Sequence, residues 1–379
     1  MGLFSGVKSL VQGIFKDKPP PFDDRKGSAS GTKADAKGVQ SRTLRVREVV
    51  RETQDAISMV LVDPSGAPIA FEAGQFFTVT RHVGDKPVRR AYSASSPAHV
   101  TSEVRLTVKE VPNGLVSTDL VRNLKAGDSI DVSGPSGSFT VPGGRKRIVL
   151  IGGGSGITPL MSIARTHLTA NQAMQIDLVY GSRGEPDIIF KDALKELEAE
   201  HEGRFRVRHV LEDAHEIASR QGRLDRATVL GELDGLGAFE HDGTMFFVCG
   251  PVGMMDEARA ALESRKIPAS RLKEERFVSP ADASAGGSEE PQSVDVLLNG
   301  ERHQVVVKPG LTILEAAQDQ GVDMPFSCTV GGCASCRVKL KSGKVSLGEP
   351  NCLDPDEKAD GYILACVSKP LGPCVVEVE

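Results

Sequence analysis

The chain has 379 residues, 39% hydrophobic and 26% charged, with a formal net charge of −5. That length exceeds one ordinary hydrophobic core, so two or three domains are expected, and the acidic balance argues against nucleic acid as the main partner. No apolar run approaches the roughly 20 residues needed to span a bilayer. Seven cysteines, an odd number, fit a reducing compartment better than a secreted disulfide scaffold, and the expected location is the cytoplasm. With no Trp and three Tyr, each aromatic near a site gains weight.

Residues 2–16 place Leu3, Phe4, Val7, Leu10, Val11, Ile14 and Phe15 at helical spacing, with Ser5, Lys8, Ser9, Gln12 and Lys16 opposite. A basic n-region and a continuous apolar core are both lacking, so this is not a signal peptide. Two readings stand: an arm that docks on a partner or a membrane surface, and a terminal helix packed on its own domain. Residues 17–41, with Pro19-Pro20-Pro21 and many Lys, Asp, Gly and Ser, read as a disordered tether. Together these form an expected N-terminal segment over 1–40.

From 41 to 144 the pattern is of short alternating segments: Leu44, Val46, Val49; Ile57, Met59, Leu61; Val104, Leu106, Val108. About six such strands predict a small antiparallel six-stranded β-barrel. Within it, Arg90-Ala91-Tyr92-Ser93 sets an arginine, an aromatic and a hydroxyl on neighbouring strand positions. Such a set can grip a phosphate, cover an apolar ring and hydrogen-bond a ring nitrogen; these are also ordinary strand residues. Gly114 and Ser117 open a helical stretch through Leu120 and Leu124, a plausible anion site or a plain turn and N-cap.

Between 145 and 278 the period changes to an α/β, parallel-sheet pattern. Ile148-Val149-Leu150-Ile151 is a continuous apolar run, as in a parallel strand buried on both faces. It enters Gly152-Gly153-Gly154-Ser155-Gly156-Ile157-Thr158-Pro159 and then an apolar-periodic helix. Strand, glycine turn and helix start present free amides to a pyrophosphate, with Thr158 expected at the N-cap and Pro159 in the first turn. The usual dinucleotide fingerprint is absent: Pro159 stands for the third glycine, and no acidic residue ends the strand Ile176–Tyr180. Strands are predicted near Phe205–Leu211 and Thr244–Cys249, and helices near Asp192–Glu200 and Met254–Glu263. Cys249-Gly250-Pro251 follows one such strand at the end where ligands collect in open α/β sheets; a buried inert cysteine is the other reading. A last strand, Leu272–Val278, carries Glu275 and Phe277. Residues 279–292, rich in Pro, Gly, Ala, Ser and Glu, read as a linker.

Residues 293–379 contain alternating segments joined by an Asn299-Gly300 turn, then a helix over Leu311–Gly321. Next comes Cys328-Thr329-Val330-Gly331-Gly332-Cys333-Ala334-Ser335-Cys336, with Cys366 after 29 intervening residues. The spacing C-x4-C-x2-C…C is that of plant-type [2Fe–2S] ligation, with Cys328, Cys333, Cys336 and Cys366 as iron ligands. Zinc knuckles prefer two C-x2-C pairs and only one occurs here, while three close cysteines in a reducing-type chain pair poorly as disulfides. Hairpin, helix, ligand loop and late strands predict a compact α+β fold.

These residues resemble a ferredoxin–NADP reductase module fused to a C-terminal plant-type ferredoxin, the resemblance covering about 42–379. The flavin signature R-x-Y-S matches Arg90, Tyr92 and Ser93; G-x-x-S matches Gly114 and Ser117. The nicotinamide signature G-x-G-x-x-P matches Gly154, Gly156 and Pro159, C-G-P matches Cys249, Gly250 and Pro251, and the late Glu-x-aromatic matches Glu275 and Phe277. The type it resembles is the reductase of multicomponent oxygenases, such as those of phenylacetyl-CoA epoxidation and ketosteroid hydroxylation. Phthalate-type reductases share the domain order but use FMN; the segment Asn113–Ser117 inclines the reading to FAD. Thr329 stands where many ferredoxins carry Arg. Ser182-Arg183 could bind a 2′-phosphate, whereas Glu212-Asp213 would repel it and suits a free ribose diol, so of NADH and NADPH the former is favoured.

The resemblance implies a β-grasp fold for the last domain and electron flow from NAD(P)H through FAD and [2Fe–2S] to a separate oxygenase, hydroxylase or desaturase. It implies that Arg90 binds the flavin phosphate, Tyr92 lies along the ring and Ser93 bonds near N5. Cys249, Glu275 and Ser93 would line the hydride path, and Phe277 would cover the ring until nicotinamide displaces it. Two rivals are a self-sufficient reductase of a small acceptor, for which no third active site is visible, and a redox-sensing cluster protein, for which the full set of cofactor motifs is superfluous.

Overall fold

The computed structural model describes residues 41–378 apart from 84–85, 113, 214–215, 278–285, 327–328, 330, 332–333, 349–350, 352 and 354. The apolar stripe of residues 2–16 and nearly all of the tether therefore lie outside the described residues.

The first sheet contains β1 (Ser41–Thr53), β2 (Ala56–Val62), β3 (Phe76–Val83), β4 (Lys86–Ser93), β5 (Val104–Lys109) and β6 (Ser129–Ser136). They run in the order β4-β3-β6-β1-β2-β5, all pairs antiparallel, and a bridge from Ala94 to Leu106 brings the outer strands together. Alternation drives the closure: Leu44 and Val46 are buried while Arg45 and Arg47 face water. Their inward faces join Ile57, Met59, Leu61, Val104, Leu106 and Val108 in one core, and α1 (Leu115–Asn123) adds Val116, Leu120 and Val121. Burying each such aliphatic side chain contributes about 1.5–3 kcal/mol.

The second sheet is wholly parallel: β7 (Arg147–Gly153), β8 (Gln175–Ser182), β9 (Phe205–Leu211), β10 (Ala218–Gln221), β11 (Met245–Cys249) and β12 (Leu272–Glu275), in the order β10-β9-β8-β7-β11-β12. Every residue of β7 and β11 is buried, because helices cover both faces. α2 (Ile157–Ala170) and α3 (Lys191–Glu200) contribute to the core on one face, α4 (Arg226–Gly235) and α5 (Val252–Ser264) to the core on the other. The chain steps outward from β7 through β8 to β10, then returns to place β11 on the other side of β7. That reversal opens a crevice at the carboxyl ends of β7 and β11. The last strand is shorter than expected, ending at Glu275, so Phe277 lies beyond the ladder.

The third region holds β13 (Gln292–Leu298), β14 (Glu301–Val307), α6 (Ile313–Asp319), β15 (Arg337–Ser342), β16 (Val345–Leu347), α7 (Pro355–Ala359), β17 (Tyr362–Leu364), β18 (Ser368–Pro370) and β19 (Cys374–Glu377). Five strands run β14-β13-β19-β15-β17, with β13 parallel to β19, and β16 pairs with β18. Asn299 and Gly300 both have positive φ, 52° and 83°, as a tight hairpin turn demands. The helix is shorter than the periodicity suggested because Thr312 and Glu315 form a capping box that fixes its start.

Barrel and parallel sheet meet along a polar seam. Ser162 Oγ of α2 donates to the Ser96 carbonyl at 2.8 Å, Arg165 Nη1 donates to the Ser95 carbonyl at 2.9 Å, and the Ala98 amide donates to Thr166 Oγ1 at 2.9 Å. Phe139 from the barrel side packs edge-on against Phe247, ring centroids 5.3 Å apart. The segment pinned by α2 follows Ser93 directly, so the seam ties the Arg90–Ser93 strand to the helix that begins at the glycine turn.

Candidate functional site

The crevice at the sheet's switch point is built from β4, β7, β11 and β12. Ser93 ends β4, and its Oγ donates to Glu275 Oε2 at 3.1 Å, across the two sheets. Glu275 sits beside Cys249 in the parallel register of β12 and β11, and Cys249 in turn stands opposite Gly152 of β7. Three residues from distant parts of the chain thus converge on one point. Burial pushes the Cys249 thiol well up, with the Glu275 carboxylate adding to it, so the sulfur stays a neutral thiol. Phe277 and Val252 expose 45% and 48% of their surface close in sequence to Glu275 and Cys249. They leave apolar surface free beside the crevice.

The glycine turn is a 3-10 turn over Gly154–Gly156 leading into α2. Gly156, not Thr158, is the N-cap, and no side chain caps the helix. Thr158 Oγ1 instead donates back to the Ser155 carbonyl at 3.1 Å, and Pro159 lies in the first turn. The helix therefore starts earlier than the N-cap preference of Thr suggests, because a glycine was needed at the close approach. A Cβ on Gly156 would stand 2.1 Å from the Cys249 carbonyl oxygen. Gly154, at φ 53°, has nothing within 4 Å of the place a Cβ would occupy, so the turn opens on free space. Uncapped first-turn amides above an open glycine suit an anionic pyrophosphate. Tyr180, fully buried, donates its hydroxyl to the Gly154 carbonyl at 2.9 Å and holds the turn from below.

Around the crevice, Ser182 is buried at the end of β8, whereas Arg183 is exposed and paired with Asp187 and, at 3.4 Å, with Asp55. Glu212 pairs with Arg223 at 3.0 Å, and the Asp213 amide donates to the Arg183 carbonyl at 2.8 Å. The two features the sequence set in opposition are therefore neighbours. A Cβ on Gly250 would lie 2.9 Å from the Gly153 amide nitrogen, and one on Gly153 would lie 2.9 Å from Pro251 Cδ, with the end of the Met254 side chain 2.8 Å and 2.6 Å away. Pro251 is the residue before α5.

On the barrel, Arg90 and Tyr92 share one face of β4 by strand alternation, with Ala91 and Ser93 on the other. Arg90 Nη1 donates to the Arg89 carbonyl at 2.7 Å. Burial raises the Tyr92 hydroxyl above its ordinary range, partly opposed by Arg90, so it stays protonated. Gly114 is the N-cap of α1, again without a side-chain cap. Ser117 is buried, and its Oγ accepts from the Val111 amide at 3.1 Å. Backbone amides at this helix start, more than the Ser117 hydroxyl, are what a phosphate would meet.

Of the four expected iron ligands, Cys328 and Cys333 lie outside the described residues. Cys336 and Cys366 are buried and form no disulfide among the described residues, and the Ala365 amide donates to the Cys336 carbonyl at 3.0 Å, tying their segments together. The Gly331 amide donates to Cys366 Sγ at 3.3 Å. Thr329, Gly331 and Ala334 have φ of 59°, 78° and 57°. Two non-glycine residues in the left-handed region within one short loop mark a backbone held for a purpose. A sulfur already receiving an amide hydrogen bond inside a wrapped loop fits a cluster thiolate. These residues fit [2Fe–2S], as the crevice fits FAD and a nicotinamide.

Sequence reasoning missed Tyr180 as a support of the turn, the α2 seam of Ser162, Arg165 and Thr166, and Met254. Only Tyr180 carried a signal, as one of three tyrosines; hydroxyls and arginines on an amphipathic helix announce no partner.

Three family models match this chain: an oxidoreductase FAD-binding domain over residues 43–141, an oxidoreductase NAD-binding domain over 150–260 and a 2Fe-2S iron-sulfur cluster binding domain over 296–371. The ferredoxin reductase component of 3-ketosteroid-9-alpha-monooxygenase from Mycobacterium tuberculosis is 34% identical over 345 residues, covering 86% of this chain and 92% of its own. A component of the 1,2-phenylacetyl-CoA epoxidase of Escherichia coli is 31% identical over 351 residues, covering 88% and 96%. Among solved structures, phthalate dioxygenase reductase aligns with a TM-score of 0.63 at 26% identity, over 89% of this chain and 98% of that one. The chain belongs to the ferredoxin–NADP reductase-like flavoproteins that carry FAD, use NAD(P)H and end in a plant-type [2Fe–2S] ferredoxin domain, the type found as oxygenase reductases.

Proposed function

We propose that this chain oxidises NAD(P)H and delivers the electrons singly to a separate oxygenase, hydroxylase or desaturase component. Bound FAD accepts an electron pair as hydride and the cluster carries single electrons onward, and the protein supplies binding, orientation and electrostatics. The observation that supports this reading most is the meeting of Ser93 Oγ with Glu275 Oε2 at 3.1 Å beside Cys249, at the switch point of the parallel sheet. Here Ser93 sets its hydroxyl where the flavin edge belongs, Glu275 accepts that hydroxyl's one hydrogen and so fixes it, and Cys249 forms a neutral wall on the nicotinamide side. Arg90 and the α1 amides from Gly114 hold the flavin phosphates, Tyr92 and Phe277 flank its ring, and the Gly154–Gly156 turn holds the nicotinamide pyrophosphate. Cys328, Cys333, Cys336 and Cys366 hold the irons.

NADH is the preferred donor in this reading. Arg183 is engaged by Asp187 and Asp55, and Glu212 and Asp213 stand close by, which suits a ribose diol and disfavours a 2′-phosphate. A kcat/KM higher for NADPH than for NADH would reverse this. The acceptor is tested by supplying NADH and the purified oxygenase-type proteins encoded beside this chain: one of them should turn over only when the reductase is present, and transfer to none would refute the assignment.

Two finer points belong to the same proposal. The apolar stripe of residues 2–16 docks on the acceptor or on a membrane that carries it; deleting 1–40 should then lower turnover of the true acceptor while FAD content and ferricyanide reduction stay intact. Among the described residues no helix is long and apolar enough to cross a membrane, and the cytoplasm is the proposed location.

A further inference from the structure

Strand β4 carries a residue that the cofactor motifs do not use. Arg89 stands over the ring of Phe326, its guanidinium carbon 5.2 Å from the centroid. Phe326 packs against the ferredoxin core and lies two residues before Cys328. The barrel's seam with the parallel sheet is made of directed hydrogen bonds, whereas this contact with the ferredoxin domain is a cation against a ring. The second half of the linker is tied to the ferredoxin side: the Ser288 amide donates to the Pro370 carbonyl at 3.1 Å, and a Cβ on Gly287 would lie 3.2 Å from Lys369. On the barrel side, the Arg90 guanidinium grips the Arg89 carbonyl, which fixes the backbone from which Arg89 projects. By strand alternation Arg89 shares its face with Ser93, about 13 Å along the strand.

We propose that Arg89 and Phe326 form the latch that seats the cluster loop against the flavin-binding strand, making Arg89 a positioning residue for electron passage between the two cofactors. This rests on the FAD-to-cluster route proposed above. A guanidinium over an aromatic face is an attraction without a fixed hydrogen-bond vector, so it can hold two domains together while letting them part. Nothing in Arg89 is required for hydride transfer, which happens at the far end of β4. A contact of this kind shifts a docking equilibrium by about 3- to 30-fold.

The experiment uses the full chain loaded with FAD and iron, and compares wild type with Arg89→Ala, Arg89→Lys, Phe326→Leu and the Arg89→Ala/Phe326→Leu double variant. In anaerobic stopped flow with NADH, flavin bleaching should keep its wild-type rate in all of them. Reduction of the cluster should slow about 3- to 30-fold in Arg89→Ala and Phe326→Leu, no further in the double variant, and recover in part in Arg89→Lys. Hydrogen exchange on the oxidised proteins without NADH should rise in Arg89→Ala for peptides covering 86–93 and 320–326, with FAD and iron content unchanged. Unchanged cluster reduction together with unchanged exchange would overturn the latch, as would additive effects of the two single changes. Slower flavin bleaching in Arg89→Ala would also overturn it, by placing Arg89 in flavin binding. If the wild-type cluster is never reduced after the flavin, the route itself fails, and the exchange data still decide whether the two residues hold the domains together.

Discussion

The barrel joins the parallel-sheet domain through Ser162, Arg165, Thr166 and the Phe139–Phe247 contact, with Ser93 bonded to Glu275 at the centre. Among the described residues it meets the ferredoxin domain at Arg89 over Phe326, an attraction with no fixed bond direction. The difference follows what each junction must do. Hydride transfer needs its reacting atoms about 3–3.5 Å apart and aligned, so a loose seam there would forfeit most of the rate. An electron needs proximity without that alignment, and a cluster that must also serve an outside acceptor gains from a domain that is lightly held.

The sharpest way to separate the two junctions is to remove one cofactor. Cys366→Ser changes a proposed iron ligand whose sulfur accepts the Gly331 amide; we expect loss of the cluster and of cytochrome c reduction, while ferricyanide reduction by the flavin persists. Equal loss of both activities would show that the halves are not separable. At the other junction, Ser93→Ala removes the donor bonded to Glu275, and flavin reduction by NADH should fall about 10²–10³-fold with flavin content unchanged. Stopped-flow rates equal to wild type would take Ser93 off the hydride path.

Acid should loosen the hydride side through His209, which lies against Tyr180 with ring centroids 6.1 Å apart. Burial pulls its pKa down to about 4, partly opposed by Glu185. The unfolded chain takes up that proton near pH 6.5, before the folded one does, so stability is full above about 6.5 and is lost as pH falls toward 4. The loss amounts to about 3 kcal/mol. Melting curves of His209→Gln should be flatter over that window; an unchanged slope would clear His209. The smallest effect expected is in the seam itself. Ser162→Ala strands the Ser96 carbonyl and should cost about 1–3 kcal/mol in denaturant unfolding, with a drop in flavin reduction if the seam aligns β4. A change below about 0.5 kcal/mol would mean that water replaces the bond.

Much of this was legible from the residues. Alternation in 41–136, continuous apolar runs at β7 and β11, and the spacing of four cysteines each have one economical physical reading, and the sheets follow them. Motif residues 93, 249 and 275 could be named from sequence, and the family resemblance implied that they line one path; the residues alone could not bring them together, because that depends on the register of three parallel strands and on how two domains meet. The start of α2 was misjudged for a related reason. Thr158 is a better N-cap by side chain, yet the close approach of Gly156 to the Cys249 carbonyl decides where the helix begins. Arg183 and Ser182 looked alike in the sequence, and only burial separates them.

The central claim is that electrons enter at the tight junction and leave across the lightly held one. Its most direct test is anaerobic mixing of the oxidised holoprotein with NADH, following flavin and cluster absorbance separately as salt and glycerol are raised. The account predicts that the flavin bleaches first at a rate those additives barely change, and that the cluster follows at a rate they lower. Cluster reduction that precedes flavin bleaching, or two phases that respond equally to the additives, would contradict it.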